Sequence, residues 1–259
     1  MVFDFFRRRR RRRIRARPFP SAWREHVDRN IPLFARLSFR EQSEVLGHAQ
    51  VLLEEKRFEG CGDLALTDEI RVTIAVQAAW LLVNRDDDYF PTVTSVLVYP
   101  ASVVHEATTH RGGGIVEETE MAAAGLATGR LGAIVLAWDS VTHGLSDPND
   151  ARDVVLHEFA HELDFQDRTF DGTPSLASQS AYRAWGRAMQ AEFETHQVAV
   201  AAGVQTAIDA YGATNPAEFF AVLTEHFFER PVELRSRHAP LYEVLREFYR
   251  QDPAGSAAV

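Results

Sequence analysis

The polar and apolar pattern changes twice along the chain. From Ser21 to about Asn84 apolar positions recur at helical spacing. Ser38-Phe39-Arg40-Glu41 has the form of a capping box and predicts a helix through about Lys56. Thr67-Asp68-Glu69 opens a second helix, IRVTIAVQAAWLLVN, apolar enough to be buried. The middle then turns to short β-branched runs bounded by Gly or Pro: TSVLVYP (Thr94–Pro100), GIVEETE (Gly114–Glu120) and GAIVLAW (Gly132–Trp138), which read as strands. Gly112-Gly113-Gly114 signals a loop. It lacks the strand-loop-helix setting and the Lys-Ser/Thr of a phosphate cradle. Helical spacing returns afterwards. One helix should be capped by Asn149 or Asp150 and run past His161, and another should cover about Ser178 to Ala201. Asn215-Pro216 is a cap followed by proline at the first helical position, predicting a helix to about Glu229 that Pro231 stops. LYEVLREFY is the last helix before a small-residue tail. Helices, a small sheet, then helices define an α+β fold, mainly helical with a small mixed β-sheet.

The 259 residues are 46% hydrophobic and 25% charged, enough to bury a substantial core. No apolar run approaches the roughly 20 residues a membrane helix needs. The single cysteine, Cys61, excludes an intrachain disulfide framework, and no secretory h-region follows the first positive charges, so a cytoplasmic location is expected. Charge is uneven. Residues 1–17 carry nine arginines against one aspartate, so the net −9 leaves −17 on the remainder (−9 less +8). Seven consecutive arginines, Arg7 to Arg13, repel one another, which predicts a disordered arm over residues 1–20. A single domain is expected over 21–252, its helical first part ending near residue 90, with a flexible tail at 253–259. The acidic body should bind nucleic acid poorly, at most weakly through the arm, and no membrane partner is expected.

The chemistry concentrates in VVLHEFAHELDFQD, Val154 to Asp167. His157 and His161 are four apart and share one face of a helix, so both imidazoles can reach one ion. Glu158 completes the H-E-x-x-H arrangement, in which two histidines bind zinc and the glutamate is the general base. Burying imidazoles among Leu156, Phe159, Ala160 and Leu163 without partners is costly, which argues against a decorative role. A catalytic zinc takes a third protein ligand and leaves the fourth position to water. Asp167 stands six residues after His161, but the glycine turn that normally brings such a residue back is missing. Asp164 either orients a ligand from behind or is a solvated carboxylate at the helix end. A second segment, YGATNPAEFFAVLTEHFFERP, offers Glu218 and Glu225 among apolar residues, two turns apart, and spacing does not choose between them. Glu218 also has the position of a capping-box glutamate, and Glu229 reads as surface.

HEFAHELD, then AYGATNPAEFFAVLTEHFFERP some fifty residues on, resembles the Mlc titration factor A (DgsA anti-repressor) family of zinc peptidases. LVYPASVV, GAIVLAWDSV and LYEVLREFYRQDP extend the resemblance to nearly everything after Pro20. That family's core is similar to the catalytic domain of anthrax lethal factor, a zincin of the gluzincin type with a glutamate third ligand. The resemblance implies that His157, His161 and Glu218 are zinc ligands, Glu158 the base and Tyr211 a residue facing the metal. It implies a peptide substrate and, as an alternative role, sequestration of a transcriptional repressor. Glu158 would take a proton from water and return it to the leaving amine, and Tyr211 would donate to the developing oxyanion. A strand near GAIVLAW could hold an extended peptide by edge pairing.

Overall fold

The helices that carry the core and the site, those starting at Phe39, Asp68, Val154, Gln179 and Pro216, each begin where a side chain takes up a first free N–H group. A computed structural model describes residues 2–85, 88–101, 103–106, 120–123, 125–128 and 132–256. α1 (Val2–Arg15) and α2 (Ser21–Asn30) precede α3 (Phe39–Glu55), which opens on the expected capping box: Ser38 accepts from the Glu41 N–H and Glu41 accepts from the Ser38 N–H. Thr67 caps α4 (Asp68–Trp80), whose residues from Val72 to Trp80 are all buried. β1 (Arg57–Gly60) lies between these helices, a strand in a stretch expected to be helical throughout. β2 (Ser95–Tyr99) and β6 (Ala133–Ala137) occupy two of the expected strand runs. β3 (Val103–Glu106), β4 (Glu120–Ala123) and β5 (Gly125–Thr128) lie between them. The expected Gly112–Gly114 loop and Gly114–Glu120 strand lie outside the described residues, except for Glu120 at the start of β4.

The main sheet has the order β1-β2-β6-β5. Its first three strands are parallel, with Val96 opposite both Phe58 and Ile134, and β5 runs antiparallel to β6. The sheet is therefore small and mixed, as expected. β3 and β4 form a separate antiparallel pair. β6 is flanked on both sides, so the expected edge pairing of a peptide cannot fall on the GAIVLAW strand; β5 ends the order among the described residues.

After the sheet come α5 (Trp138–Ser146), α6 (Val154–Asp164), α7 (Gln179–Ala201), α8 (Pro216–Glu229), α9 (Pro231–Arg237), α10 (Ala239–Tyr249) and α11 (Pro253–Ser256). α6 starts at the Asp153 cap, not at Asn149 or Asp150; those two residues lie in turns where Asp147 and Asp150 accept from the Asn149 and Arg152 N–H groups. Pro231 opens α9 directly, one residue after α8 ends. α8 is buried from Phe219 to Glu229, and its rings join Trp185, Tyr242, Phe248 and Tyr249 in an aromatic core.

Two expected disordered segments belong to this body. Ala254 of the C-terminal tail is fully buried. The arginine arm is helix α1, packed on α3 through the buried Ile14. The repulsion expected among its arginines is offset in part from outside the segment, on the face turned to the body. Arg10 and Arg11 pair with Glu54 and Glu55 at 2.7–3.0 Å, Arg11 also with Asp88 at 2.6 Å, and Arg11 lies 4.5 Å over the Tyr89 ring. Ile14→Asp is expected to detach α1, because burying isoleucine contributes about 1.5–3 kcal/mol and a buried carboxylate reverses it. Hydrogen exchange of residues 7–15 should rise to loop-like rates while that of α8 stays protected.

Candidate metal centre

Asp153 starts the site by ending a loop. Its Oδ1 accepts from the Val155 and Leu156 N–H groups at 2.9 and 3.0 Å, a cap worth about 0.5–2 kcal/mol, and this fixes the first turn of α6. One turn on, His157 and His161 project together. Their Nε2 atoms are 3.2 Å apart, and Glu218 Oε2 from the first turn of α8 lies 3.1 Å from one and 3.3 Å from the other. Of the carboxylates weighed in the sequence, Glu218 is the one brought to both histidines. Asn215 caps α8 by accepting from the Glu218 N–H at 3.0 Å; the Glu218 side chain is thus spent on the histidines rather than on a capping box. Among the described residues, these three are the group whose donor atoms could hold a metal ion.

Glu225, the competing candidate, holds the cluster from behind. Its Oε1 lies 2.7 Å from His157 Nδ1, and its Oε2 accepts from the Asp153 N–H at 2.6 Å. That contact turns His157 Nε2 toward Glu218. Burial pushes the Glu225 carboxyl up, against the opposing pull of His157. Burial alone would lower His157, but the charge of Glu225 and the hydrogen bonds to Glu218 and Glu225 reverse this and hold it well above its ordinary range. Glu218 sits at about 2, its burial outweighed by the two histidines.

Asp164 takes neither expected role. It is fully buried, and its Oδ2 accepts from the Gly172 N–H at 3.0 Å. Gly172 adopts φ +74° and lies so close to Pro216 that a Cβ would come within 2.3 Å of the Pro216 carbonyl oxygen. Its own carbonyl accepts from Trp185 Nε1 at 3.0 Å. Asp164 therefore ties the end of α6 to the loop on which the first turn of α8, and with it Glu218, rests. Asp167 accepts from the N–H and hydroxyl of nearby Thr169 and is not brought to the histidines.

A cleft of about 560 Å³ opens beside the cluster, lined by His157, Glu158, Tyr211, Glu225 and Arg152, and by Asp139, Ser140 and His143 of α5. Glu158 is buried in its wall. Tyr211 is 55% exposed, its ring 6.0 Å from that of His157. Partial burial, then the Glu218 and Glu158 charges, push its hydroxyl up to about 12, so it remains an O–H donor at neutral pH. Asp209 places it: one oxygen accepts from the Tyr211 N–H at 2.9 Å and the other from Arg152 at 2.8 Å. The sequence reading missed Arg152, Asp209 and the α5 residues. The strand-to-helix passage at Trp138 and the 139, 140, 143 spacing were the signals present.

Glu229 is buried rather than on the surface, and accepts from the Arg152 N–H at 3.1 Å. Burial, followed by the Asp153 charge, raises its carboxyl from an ordinary 4.5 to about 9.

A pair of histidines, one buried and one partly buried, and a glutamate on two facing helices, with a second glutamate in the adjoining cleft, have the make-up of a metal-dependent hydrolase site. The comparisons agree. The sequence profile of the glucose-regulated metallo-peptidase M90 family matches residues 5–250, and the chain belongs to that family. An uncharacterized protein of Synechocystis is 37% identical over 237 residues, 92% of this chain and 86% of that one. Mlc titration factor A of Yersinia pestis is 32% identical over 236 residues, 89% of this chain and 84% of its own. The Yersinia pseudotuberculosis protein of the same name has the same identity and coverage.

The Glu229 carboxyl gives a pH test. Below about pH 4.5 both folded and unfolded chains hold its proton; between there and about 9 only the folded chain does, so stability falls as pH rises. Glu229→Gln keeps the acceptor for Arg152 and removes that cost. Its melting temperature should exceed the parent's by more than about 3 °C near pH 8 and match it near pH 5.

Proposed function

We propose that the chain is a zinc-dependent peptidase of the gluzincin type, with His157, His161 and Glu218 as ligands, Glu158 as general base and Tyr211 as oxyanion donor. The observation that carries this is the donor triangle. Its edges are 3.1, 3.2 and 3.3 Å, and tetrahedral ligands at about 2.0–2.1 Å from one ion stand about 3.3 Å apart. Two imidazoles and one carboxylate are also a donor set that suits zinc. When bound, such an ion polarises a carbonyl and lowers the pKa of a coordinated water to about 7.

The chain's own residues supply the rest. Glu225 holds the His157 ring in place through Nδ1. Glu158, in the cleft wall beside His157, accepts a proton from the attacking water and delivers it to the leaving amine. Tyr211, kept protonated by its surroundings, donates to the oxygen on which charge develops. The cleft volume suits short peptides, and aminopeptidase or short-peptide hydrolysis in the cytoplasm is the activity we assign.

A second role is favoured by the Yersinia relatives, whose name is Mlc titration factor A. In this reading the chain binds and sequesters a transcriptional repressor, and hydrolysis is secondary.

Glu158→Gln should bind zinc as the parent does and lose about 10²–10⁴ in kcat/KM on aminoacyl and peptide chromogenic substrates; unchanged turnover removes Glu158 as base. Glu218→Ala should weaken zinc binding further than Glu225→Ala, for which a loss of about 10–100-fold is expected by competition against a chelator. The reverse order would reassign the third ligand. A repressor captured equally by the parent and by Glu158→Gln would separate the binding role from hydrolysis.

A further inference from the structure

Helix α1 has two faces with different fates. Arg7, Arg10, Arg11 and Arg15 point inward and pair with Asp88, Glu54, Glu55 and Glu44 of the body. Arg8, Arg9, Arg12 and Arg13 are exposed, and among the described residues no ion-pair partner reaches them. Phe5 and Phe6 lie on the same outward side, 62% and 61% exposed, packed edge to face at 5.8 Å. At 3.6 residues per turn these six side chains fall within about 160° of the helix circumference, along a helix about 21 Å long. An outward face of arginines with an aromatic end is neither neutralised by the fold nor used by the metal centre.

We propose that this face docks the protein on an anionic lipid surface. The arginines engage headgroup phosphates, and Phe5 and Phe6 enter the interfacial layer. Charge complementarity selects the lipid: four guanidinium groups without partners face outward from a body that is otherwise strongly acidic. The phenylalanines distinguish a bilayer from a nucleic acid. A polynucleotide would take up the arginines, but a convex helix flanked by Glu54, Glu55 and Asp88 gives it no groove to follow. A bilayer uses both residue types on one flat contact. No helix among the described residues is long and apolar enough to cross a membrane, so the contact is at the surface. It differs from the sequence expectation of no membrane partner, which rested on the absence of a spanning segment.

Co-sedimentation of the full chain with phosphatidylcholine vesicles, with and without one third phosphatidylglycerol, tests this. Binding is expected only with the anionic lipid and should weaken as salt rises. The fourfold variant Arg8→Gln, Arg9→Gln, Arg12→Gln, Arg13→Gln should bind roughly 1,000-fold more weakly. Phe5→Ser with Phe6→Ser should also lose binding at constant charge. Both variants keep the inward pairs, so their peptidase activity and melting temperature should match the parent's, which separates a lost surface from a lost fold. Equal binding to neutral vesicles, or no binding to anionic ones, overturns the proposal. So does tighter binding to single-stranded RNA or duplex DNA that is insensitive to the phenylalanine changes.

Discussion

One buried carboxylate joins the two helices that carry the candidate metal centre. Glu225 reaches from α8 to the His157 ring with one oxygen and to the Asp153 N–H at the head of α6 with the other. The first contact sets which ring nitrogen faces the cluster, and the second sets where α6 begins. Without it, the rotation of the His157 ring would rest chiefly on apolar packing, which fixes separation better than rotation. Hydrogen bonds to a buried charge are short and directional, so they fix the rotation as well.

Such a device has a cost that the surroundings share. Asp153, Glu225 and Glu229 all lie in the interior, and burial raises the carboxyl of each. Main-chain N–H groups from residues 152 to 156 answer all three. The positive end of α6 therefore faces the greatest concentration of buried acid in this region, where the helix dipole offsets part of the desolvation cost. The same loop carries Arg152, whose side chain orients Tyr211 through Asp209. Cap, ligand orientation and tyrosine placement are thus consequences of one short stretch, Arg152 to His157.

What the sequence revealed depended on how local the cause was. Capping boxes, periodic apolar faces and the H-E-x-x-H spacing involve residues within a turn or two, and α3, α4, α7, α8 and the shared face of His157 and His161 were legible for that reason. The arginine helix was not, because its stabilising acids stand between 29 residues (Arg15 to Glu44) and 81 residues (Arg7 to Asp88) away in the chain. β1 was hidden for a related reason: Arg57 to Gly60 has no alternating pattern and becomes a strand only by pairing with β2. The start of α6 was misplaced because the segment holds several residues able to cap, Asn149, Asp150 and Asp153 among them. Asp150 is instead occupied by its own turn.

The choice between Glu218 and Glu225 shows most clearly what spacing lacks. Seven residues make almost two full turns, so both carboxylates leave α8 on the same side, about 10 Å apart along its axis. A periodicity argument treats them as equivalent. They differ because an imidazole has two nitrogens on different edges of the ring, and the His157 ring stands between them as a spacer. Glu225 meets Nδ1, and Glu218 meets Nε2 together with His161. Their environments then separate them further: Glu225, wholly enclosed, is pushed up, whereas Glu218, at the more open end and facing two imidazoles, is held down at about 2. The carboxylate that stays ionised beside both imidazoles is the one fitted to ligate a cation, and the enclosed one is fitted to hold a ring in place.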